Sequence, residues 1–178
     1  MLASTERLVL RRFRDDDAEA FAAIRSDPAV ARYQSWDSPV ALAEAVSHVR
    51  HYARSDPAAP GWFQYAVEHR ERGVLIGDIG VCLADNLMQA EIGFSFAPAF
   101  QGRGYATEAV RCVLNLLFAN GIHRVSAGCD PRNTPSARLL ERVGFRREGL
   151  RPEFFWHKGE WTDELLFGLL ARDWRGSA

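Results

Sequence analysis

Cysteine is scarce in this chain. Cys82, Cys112 and Cys129 are odd in number, far apart and each beside apolar residues. They read as reduced packing residues, which argues against a disulfide framework or a thiolate metal site. Long hydrophobic runs are missing too: none reaches the roughly 18 apolar residues of a membrane span. Ser4-Thr5-Glu6-Arg7 interrupts the start, so no secretory signal is expected and the cytoplasm is the expected location. Neither sign of charge dominates, with 22 basic and 23 acidic residues, so no global field directs the chain to nucleic acid or to a membrane. There is no internal repeat or low-complexity linker, and 178 residues suit one domain, 1–178, with a sizeable core. Gly-Lys-Ser/Thr does not occur, which excludes a Walker loop. Gly102-x-Gly104 is followed by Thr107 where a dinucleotide fingerprint carries its third glycine.

What is present centres on residues 91–120. Ile92 to Phe96 has the length and composition of a strand, and Pro98 stops it. Gln101-Gly102-Arg103-Gly104-Tyr105-Ala106 follows. Ala106, Ala109, Val110, Val113, Leu114 and Leu117 then form a helical stripe that ends at Asn120-Gly121. Strand, glycine turn and helix present free backbone N–H groups at a helix N-terminus, where about half a positive charge favours an anion. Gly102 and Gly104 lack a Cβ, so a ligand can approach the main chain closely, and Arg103 adds a fixed charge. A plain strand-to-helix connection has the same pattern.

The rest of the chain falls into short elements. Leu8-Val9-Leu10 reads as a strand, Asp15-Asp16-Asp17 as the opening of a helix and Asp27-Pro28 as its end. Tyr33 to Asp37 is an irregular aromatic stretch. Ser38-Pro39 has the form of an N-cap with proline at the first helical position, predicting a helix to about Arg54 with Leu42, Val46 and Val49 inward. His48 and His51 on it suggest no third ligand, and no metal is expected. Phe63, Tyr65 and Val67 share a strand face, Glu71-Arg72-Gly73 turns into the apolar run Val74 to Leu83, and Asp85-Asn86 turns into Gln89 to Phe96. On that third strand Ala90, Ile92, Phe94 and Phe96 share one face, and Glu91, Gly93 and Ser95 the other. Arg124 to Cys129 is a strand, Thr134-Pro135 starts a helix that stops at Gly144, and two strands around His157-Lys158-Gly159-Glu160 form a hairpin. Gly176 to Ala178 should fray.

Several stretches carry a resemblance: Ile76-Gly77-Asp78-Ile79-Gly80, Glu91-Ile92-Gly93-Phe94, Gln101 to Ala109, Asp130 to Phe145, and Gly159-x-Trp161-x-Asp163. Gln101 to Ala106 matches the Q/R-x-x-G-x-G/A signature, and the whole resembles the GNAT superfamily of N-acetyltransferases, in particular its RimJ/RimL-like branch of protein N-terminal acetyltransferases. The resemblance implies an α/β (α+β) fold, with a mixed, mostly antiparallel sheet of about seven strands flanked by about four helices. It implies acetyl-CoA as co-substrate, no metal, and an amine acceptor, with monomer and homodimer both open. The cofactor-binding residues it implies are Phe94, Ser95 and Phe96, then Gln101, Gly102, Arg103, Gly104, Tyr105, Ala106 and Thr107, then Asn133 and Ser136. It also implies a bulge near Phe94 to Phe96 that splays the strand. No tyrosine follows Tyr105, and Ser136 occupies the position from which that branch supports the leaving thiolate.

The chemistry asks for a neutral amine, a stabilised oxyanion and a departing thiolate. An α-amino group is about a tenth neutral at pH 7, whereas a lysine amine is neutral only about four times in ten thousand, a gap of about 3 kcal/mol. Glu91 is the best-placed general base, with Asp163 second and Asp37 third. Tyr33, Trp36, Trp156 and Asp163, with Phe154 and Trp161, are candidates to line an acceptor pocket between the early helices and the last hairpin. The expected activity is acetylation of a protein N-terminus. A small amine acceptor, such as an antibiotic or polyamine, and a non-catalytic CoA-binding domain are the alternatives.

Overall fold

The computed structural model describes residues 1–176; Ser177 and Ala178, two of the three expected to fray, lie outside the described residues. One mixed sheet runs through it in the order β1-β2-β3-β4-β5-β6-β8-β7. The strands are β1 (Ala3–Ser4), β2 (Leu8–Arg11), β3 (Gly61–His69), β4 (Val74–Leu83), β5 (Gln89–Phe96), β6 (Arg124–Cys129), β7 (Arg146–His157) and β8 (Glu160–Leu170). The helices are α1 (Ala18–Ser26), α2 (Pro28–Ala31), α3 (Leu42–Arg54), α4 (Tyr105–Ala119) and α5 (Thr134–Val143). All neighbouring strands are antiparallel except β5 and β6. The expected seven strands and four helices gain β1 and α2, both too short to show a periodic pattern.

Alternation along the strands separates two cores. Phe63, Tyr65, Val67, Ile79, Val81, Ile92 and Phe96 face α4 and α5, packing with Val110, Val113, Leu114 and Leu140. On the other face α1 and α3 cover the sheet through Phe21, Ile24, Ala45 and Val49, against Ala66 and Leu75. α4 therefore lies on one side of β5, and the face carrying Glu91, Gly93 and Ser95 lies on the other.

Several local expectations change. The three aspartates form a 3-10 turn before α1, and Asp17 is buried in a two-pronged pair with Arg11, at 2.7 and 2.8 Å. Asp27 ends α1 and also caps α2, accepting from the Ala29 N–H at 2.8 Å. Ser38 is not the cap of α3. Its hydroxyl donates to the Ser26 carbonyl at 3.1 Å, so it serves the end of α1, and α3 begins at Leu42 after Ala41. Leu42 is consequently 51% exposed, while Ala45 and Val49 are buried and Val46 packs half-buried against the same core. Thr134 is the first residue of α5 rather than its cap, which is Asn133. No bulge occurs near Phe94: β4 and β5 pair without a register shift from Leu83–Ala90 to Gly77–Phe96. Register shifts occur instead at Val67/Glu68 and at two places in β7.

No helix among the described residues is long and apolar enough to cross a membrane. No group of three or more His, Cys, Asp or Glu is placed to hold a metal among the described residues.

Candidate active site

The sheet opens at the parallel pair. β5 and β6 pair at Gln89–Arg124, Ala90–Val125 and Glu91–Ser126, and pairing stops there. From Ile92 to Phe96 the β6-facing edge of β5 has no partner strand, so the splay arises from divergence of two strands rather than from a bulge. α4 follows β5 and α5 follows β6, so both helix N-termini stand at the carboxyl ends of the two diverging strands. That corner is where open α/β sheets characteristically receive ligands.

The loop before α4 is held from several directions. Gln101 donates its side-chain amide to the Phe96 carbonyl at 2.7 Å, so that side chain pins the end of β5. Gly102 and Gly104 have φ of 71° and 83°, a region that side chains with a Cβ rarely adopt. Gly104 is the N-cap residue of α4, so the turn depends on it. Arg7 donates to the Arg103 carbonyl at 3.1 Å and to the Glu108 carboxylate at 2.7 Å. Burial pushes the Glu108 carboxyl up, but hydrogen bonds from Thr5 and Arg7 outweigh it and hold its pKa below the usual value. Arg103 is exposed, and Ala106 and Thr107 are half-buried on the first turn. Tyr105 turns inward, its hydroxyl 3.0 Å from His69 Nε2, so it leaves only its main chain at the surface of this corner.

Across the opening, Asn133 caps α5 by accepting from the Ser136 N–H at 3.3 Å. Ser136 lies half-buried in the first turn of that helix. Phe96 belongs to the core, Phe94 packs partly against it, and the Ser95 hydroxyl donates to Asp78 at 3.1 Å.

On the opposite face of the sheet from α4 lies a cleft of about 500 Å³ between α1, α3, residues 34–36 and strands β3 to β5. Gly93, Phe94 and Ser95 form its edge at the splay, and Trp36, Trp62, Tyr52 and Phe21 are its aromatic lining. Its floor holds a buried ion pair: an Arg25 Nη donates to Asp78 Oδ1 at 3.0 Å. Burial pushes the Asp78 carboxyl up, opposed by Arg25 and Ser95. The Arg25 guanidinium lies 3.8 Å from the Trp36 ring and 4.7 Å from that of Phe21. At the rim, His48 Nε2 is 3.4 Å from Glu44.

Glu91 sits two residues from Gly93 on the same strand face. Its side chain keeps contact with water, yet crowding by the sheet and the nearby Glu164 raise its pKa, with Arg151 opposing. Glu164 is buried and bonded to Arg151, and its Oε1 fills the space above Gly128 that a Cβ would take.

Of the expected acceptor residues, Trp36 lines the cleft, donating its indole N–H to the Arg25 carbonyl at 3.0 Å. Tyr33, Trp156 and Asp163 do not line it. Tyr33 stacks near Arg32, with the guanidinium 5.2 Å from its ring. Trp156 packs on Trp161 at the hairpin tip, with ring centres 5.5 Å apart. Asp163 accepts from the Glu153 N–H at 2.8 Å, closing one of the irregularities of β7. Asp37 is exposed and also outside the lining. The hairpin does meet the early helices, through Lys158 donating to the Ala31 carbonyl, but the cleft lies deeper, over β3 to β5. Sequence reasoning missed Arg25, Gln64 and Asp78 as lining residues. The one available signal was Asp78 itself, a carboxylate inside an apolar strand.

The splayed parallel pair, the glycine loop at a helix N-terminus and a cleft on the far face define the acetyltransferase class. The chain belongs to the GNAT family: the profile of the acetyltransferase (GNAT) domain matches residues 7–146. It is 31% identical over 171 residues to the uncharacterised N-acetyltransferase YoaA of Bacillus subtilis (strain 168), covering 95% of this chain and 96% of that protein. The crystal structure of a GNAT-family acetyltransferase from Bacillus anthracis superposes with a TM-score of 0.86 at 30% identity, covering 95% of this chain and 98% of that one. A third relative, the [ribosomal protein uS5]-alanine N-acetyltransferase of Escherichia coli (strain K12), is 31% identical over 102 residues, 54% of this chain and 53% of that protein. The protein is an acetyltransferase, and enzymes of this fold use acetyl-CoA.

Proposed function

We propose that the enzyme transfers the acetyl group of acetyl-CoA to the N-terminal α-amino group of a polypeptide, as a RimJ/RimL-like member of its family. One sheet drawing strands from Ala3 to Leu170 supports reading 1–178 as a single catalytic domain. The backbone N–H groups of Gly102 to Thr107 would hold the pyrophosphate at the start of α4, where the helix dipole favours negative charge. Arg103 would add its charge there, and Gln101 would act by fixing the loop to β5. The unpaired edge of β5 at Phe94, Ser95 and Phe96 would pair with the pantetheine amides, with Asn133 on the other bank.

The amine then enters from the cleft. Glu91, directly or through a water, takes the ammonium proton. The nitrogen attacks the thioester carbonyl, the C–N bond forms, the C–S bond breaks, and a proton of the attacking nitrogen passes, directly or through water, to the departing thiolate, leaving the N-acetyl product and CoA thiol. Backbone N–H groups on the open edge of β5 would stabilise the oxyanion, and the Ser136 hydroxyl would hydrogen-bond the departing sulfur. A thiol pKa near 8.5 makes such modest help sufficient.

The observation that carries this acceptor class is the charge of the cleft. Asp78 is matched by Arg25 at 3.0 Å, and Glu44 lies 3.4 Å from His48. Among the permanently charged groups of the lining, Arg25 stands against Asp78 and Glu44, one net negative charge at the rim, which suits a single amine and gives a polycation only a weak field. The Escherichia coli relative, named for acting on a ribosomal-protein alanine, supports the same reading. The test is release of CoA thiol from acetyl-CoA with N-terminal peptides, lysine side-chain peptides and polyamines. Faster turnover of the free N-terminal peptides is expected. Faster turnover of a polyamine or other small amine would replace this reading, and tight acetyl-CoA binding without turnover of any amine would point to a binding domain.

A further inference from the structure

Two residues that line the acceptor cleft each carry a buried polar atom whose hydrogen-bonding capacity is unused. Arg25 Nε and Gln64 Oε1 are both buried and have no hydrogen-bond partner among the described residues. Both residues line the cleft. Buried polar groups are normally paired, so an unpaired donor and an unpaired acceptor in one cleft mark a place prepared for a ligand.

Neither group is loosely placed. Arg25 is 9% exposed, stacks between Phe21 and Trp36, and commits one Nη to Asp78, which is itself held by Ser95. Its remaining N–H edge therefore has a fixed position. Gln64 stands opposite Gly80 in the register of β3 and β4, and Gly80 stands opposite Gly93 in that of β4 and β5. A Cβ at Gly80 would come within 2.8 Å of the Gln64 amide, whereas a Cβ at Gly93 would meet nothing within 4 Å. The sheet surface is thus bare beside the splay and lets a ligand lie flat, with the Gln64 amide held at its margin by the absence of a side chain at 80.

We infer that Arg25 and Gln64 form a specificity pair that reads the amide bond next to the reacting amine, so that the acceptor must be an α-aminoacyl group: Arg25 donates to its carbonyl oxygen and Gln64 accepts from the following N–H. This rests on the acetyl-transfer reading of the same cleft. A polyamine offers donors only, so it can satisfy Gln64 but leaves Arg25 Nε unpaired. A peptide N-terminus offers an acceptor and a donor in sequence, and satisfies both. Sites built to hydrogen-bond a substrate group discriminate strongly against analogues lacking it, because their own polar groups are then left unpaired.

The experiment compares alanyl-glycinamide with 1,2-diaminopropane, which lacks the carbonyl, as acceptors in the CoA-thiol assay. The enzymes are wild type, Arg25→Lys and Gln64→Leu. Arg25→Lys keeps a cation for Asp78 and removes Nε; thermal melting and calorimetry of acetyl-CoA confirm that each variant is folded and loaded. Wild type should prefer the peptide amide in kcat/KM, and each variant should lose about tenfold to a hundredfold of that preference through the peptide alone. Peptide turnover with the preference intact in both variants would overturn the inference and leave the N-terminal acetylation reading standing. Equal or faster use of the diamine by wild type would overturn both. If no acceptor is turned over, calorimetry of N-acetyl-alanyl-glycinamide against the CoA-loaded enzyme decides: binding that both variants weaken supports the pair, and absent or unaffected binding overturns it.

Discussion

The proposed role of Glu91 as general base depends on its surroundings. A carboxylate on an ordinary exposed strand would be too weak a base to be useful near neutrality. Here crowding by the sheet and the proximity of Glu164 push its pKa up, toward the range in which a general base is effective. A base acts only when ionised, so a raised pKa moves the acid limb of the rate profile to higher pH. The kcat/KM profile should therefore fall off at a pH above that of an ordinary glutamate. Glu164→Gln should move the limb to lower pH, and Arg151→Met, which removes the opposing cation, should move it higher. Glu91→Gln should cost about a hundredfold or more in kcat/KM across the neutral range. A profile that none of these changes alters would remove Glu91 from the mechanism. The contribution proposed for Ser136 is of a different kind. Its N–H is engaged by Asn133, while its hydroxyl is proposed to hydrogen-bond the leaving sulfur. Ser136→Ala should lower kcat several-fold with little change in KM for acetyl-CoA. The reverse pattern would make Ser136 a binding residue.

At the scale of elements, the loop from Phe96 to Tyr105 behaves as a braced unit. Gln101 ties it back to β5, Arg7, just before β2, bonds both the Arg103 carbonyl and Glu108 in the first turn of α4, and Gly104 supplies the left-handed residue that starts the helix. Gly104→Glu should abolish acetyl-CoA binding in calorimetry while leaving a folded protein. The φ of 83° resists any side chain, and a carboxylate would stand where the pyrophosphate is expected. Unchanged affinity would move the cofactor elsewhere. This unit was the most legible part of the sequence, because its signals are local: two glycines, a proline stop and a helical apolar stripe. The elements around it were less so. Ser38-Pro39 has the composition of a helix cap, yet a longer-range contact, the Ser38 hydroxyl on the Ser26 carbonyl, takes the side chain away. The expected bulge near Phe94 was inferred from the family. The opening it was meant to explain comes instead from β6 diverging after Ser126, which no pattern within β5 records.

At the scale of the whole molecule, the cleft exists because α1 and α3 are fastened to the sheet at its centre. Arg25 and Asp78 are 53 residues apart in sequence and 3.0 Å apart in space, with side chains only 11% and 5% exposed. Breaking such a pair from one side leaves an uncompensated buried charge. Arg25→Met should destabilise the protein by about 3–5 kcal/mol in urea unfolding, and adding Asp78→Asn should recover most of that loss. Equal stability of the two variants would mean that the pair does not hold α1. Alternation along β3 and β5 was readable and separated the core face from the face of Glu91, Gly93 and Ser95, whereas β4, buried on both faces, read only as an apolar run. The identity of the cleft's polar floor was not, since it is a meeting of a helix and a strand that only folding brings together. The same holds for Asp163. Its carboxylate looked available, and the fold commits it to the Glu153 N–H. The account as a whole stands on where acetyl-CoA sits, and a crystal structure with CoA bound tests that most directly. The pyrophosphate is predicted on the main-chain N–H groups of Gly102 to Thr107, with the pantetheine arm along the open edge of β5 and the sulfur beside Ser136. CoA bound outside the gap between β5 and β6, or a gap closed by repaired strand pairing, would contradict it.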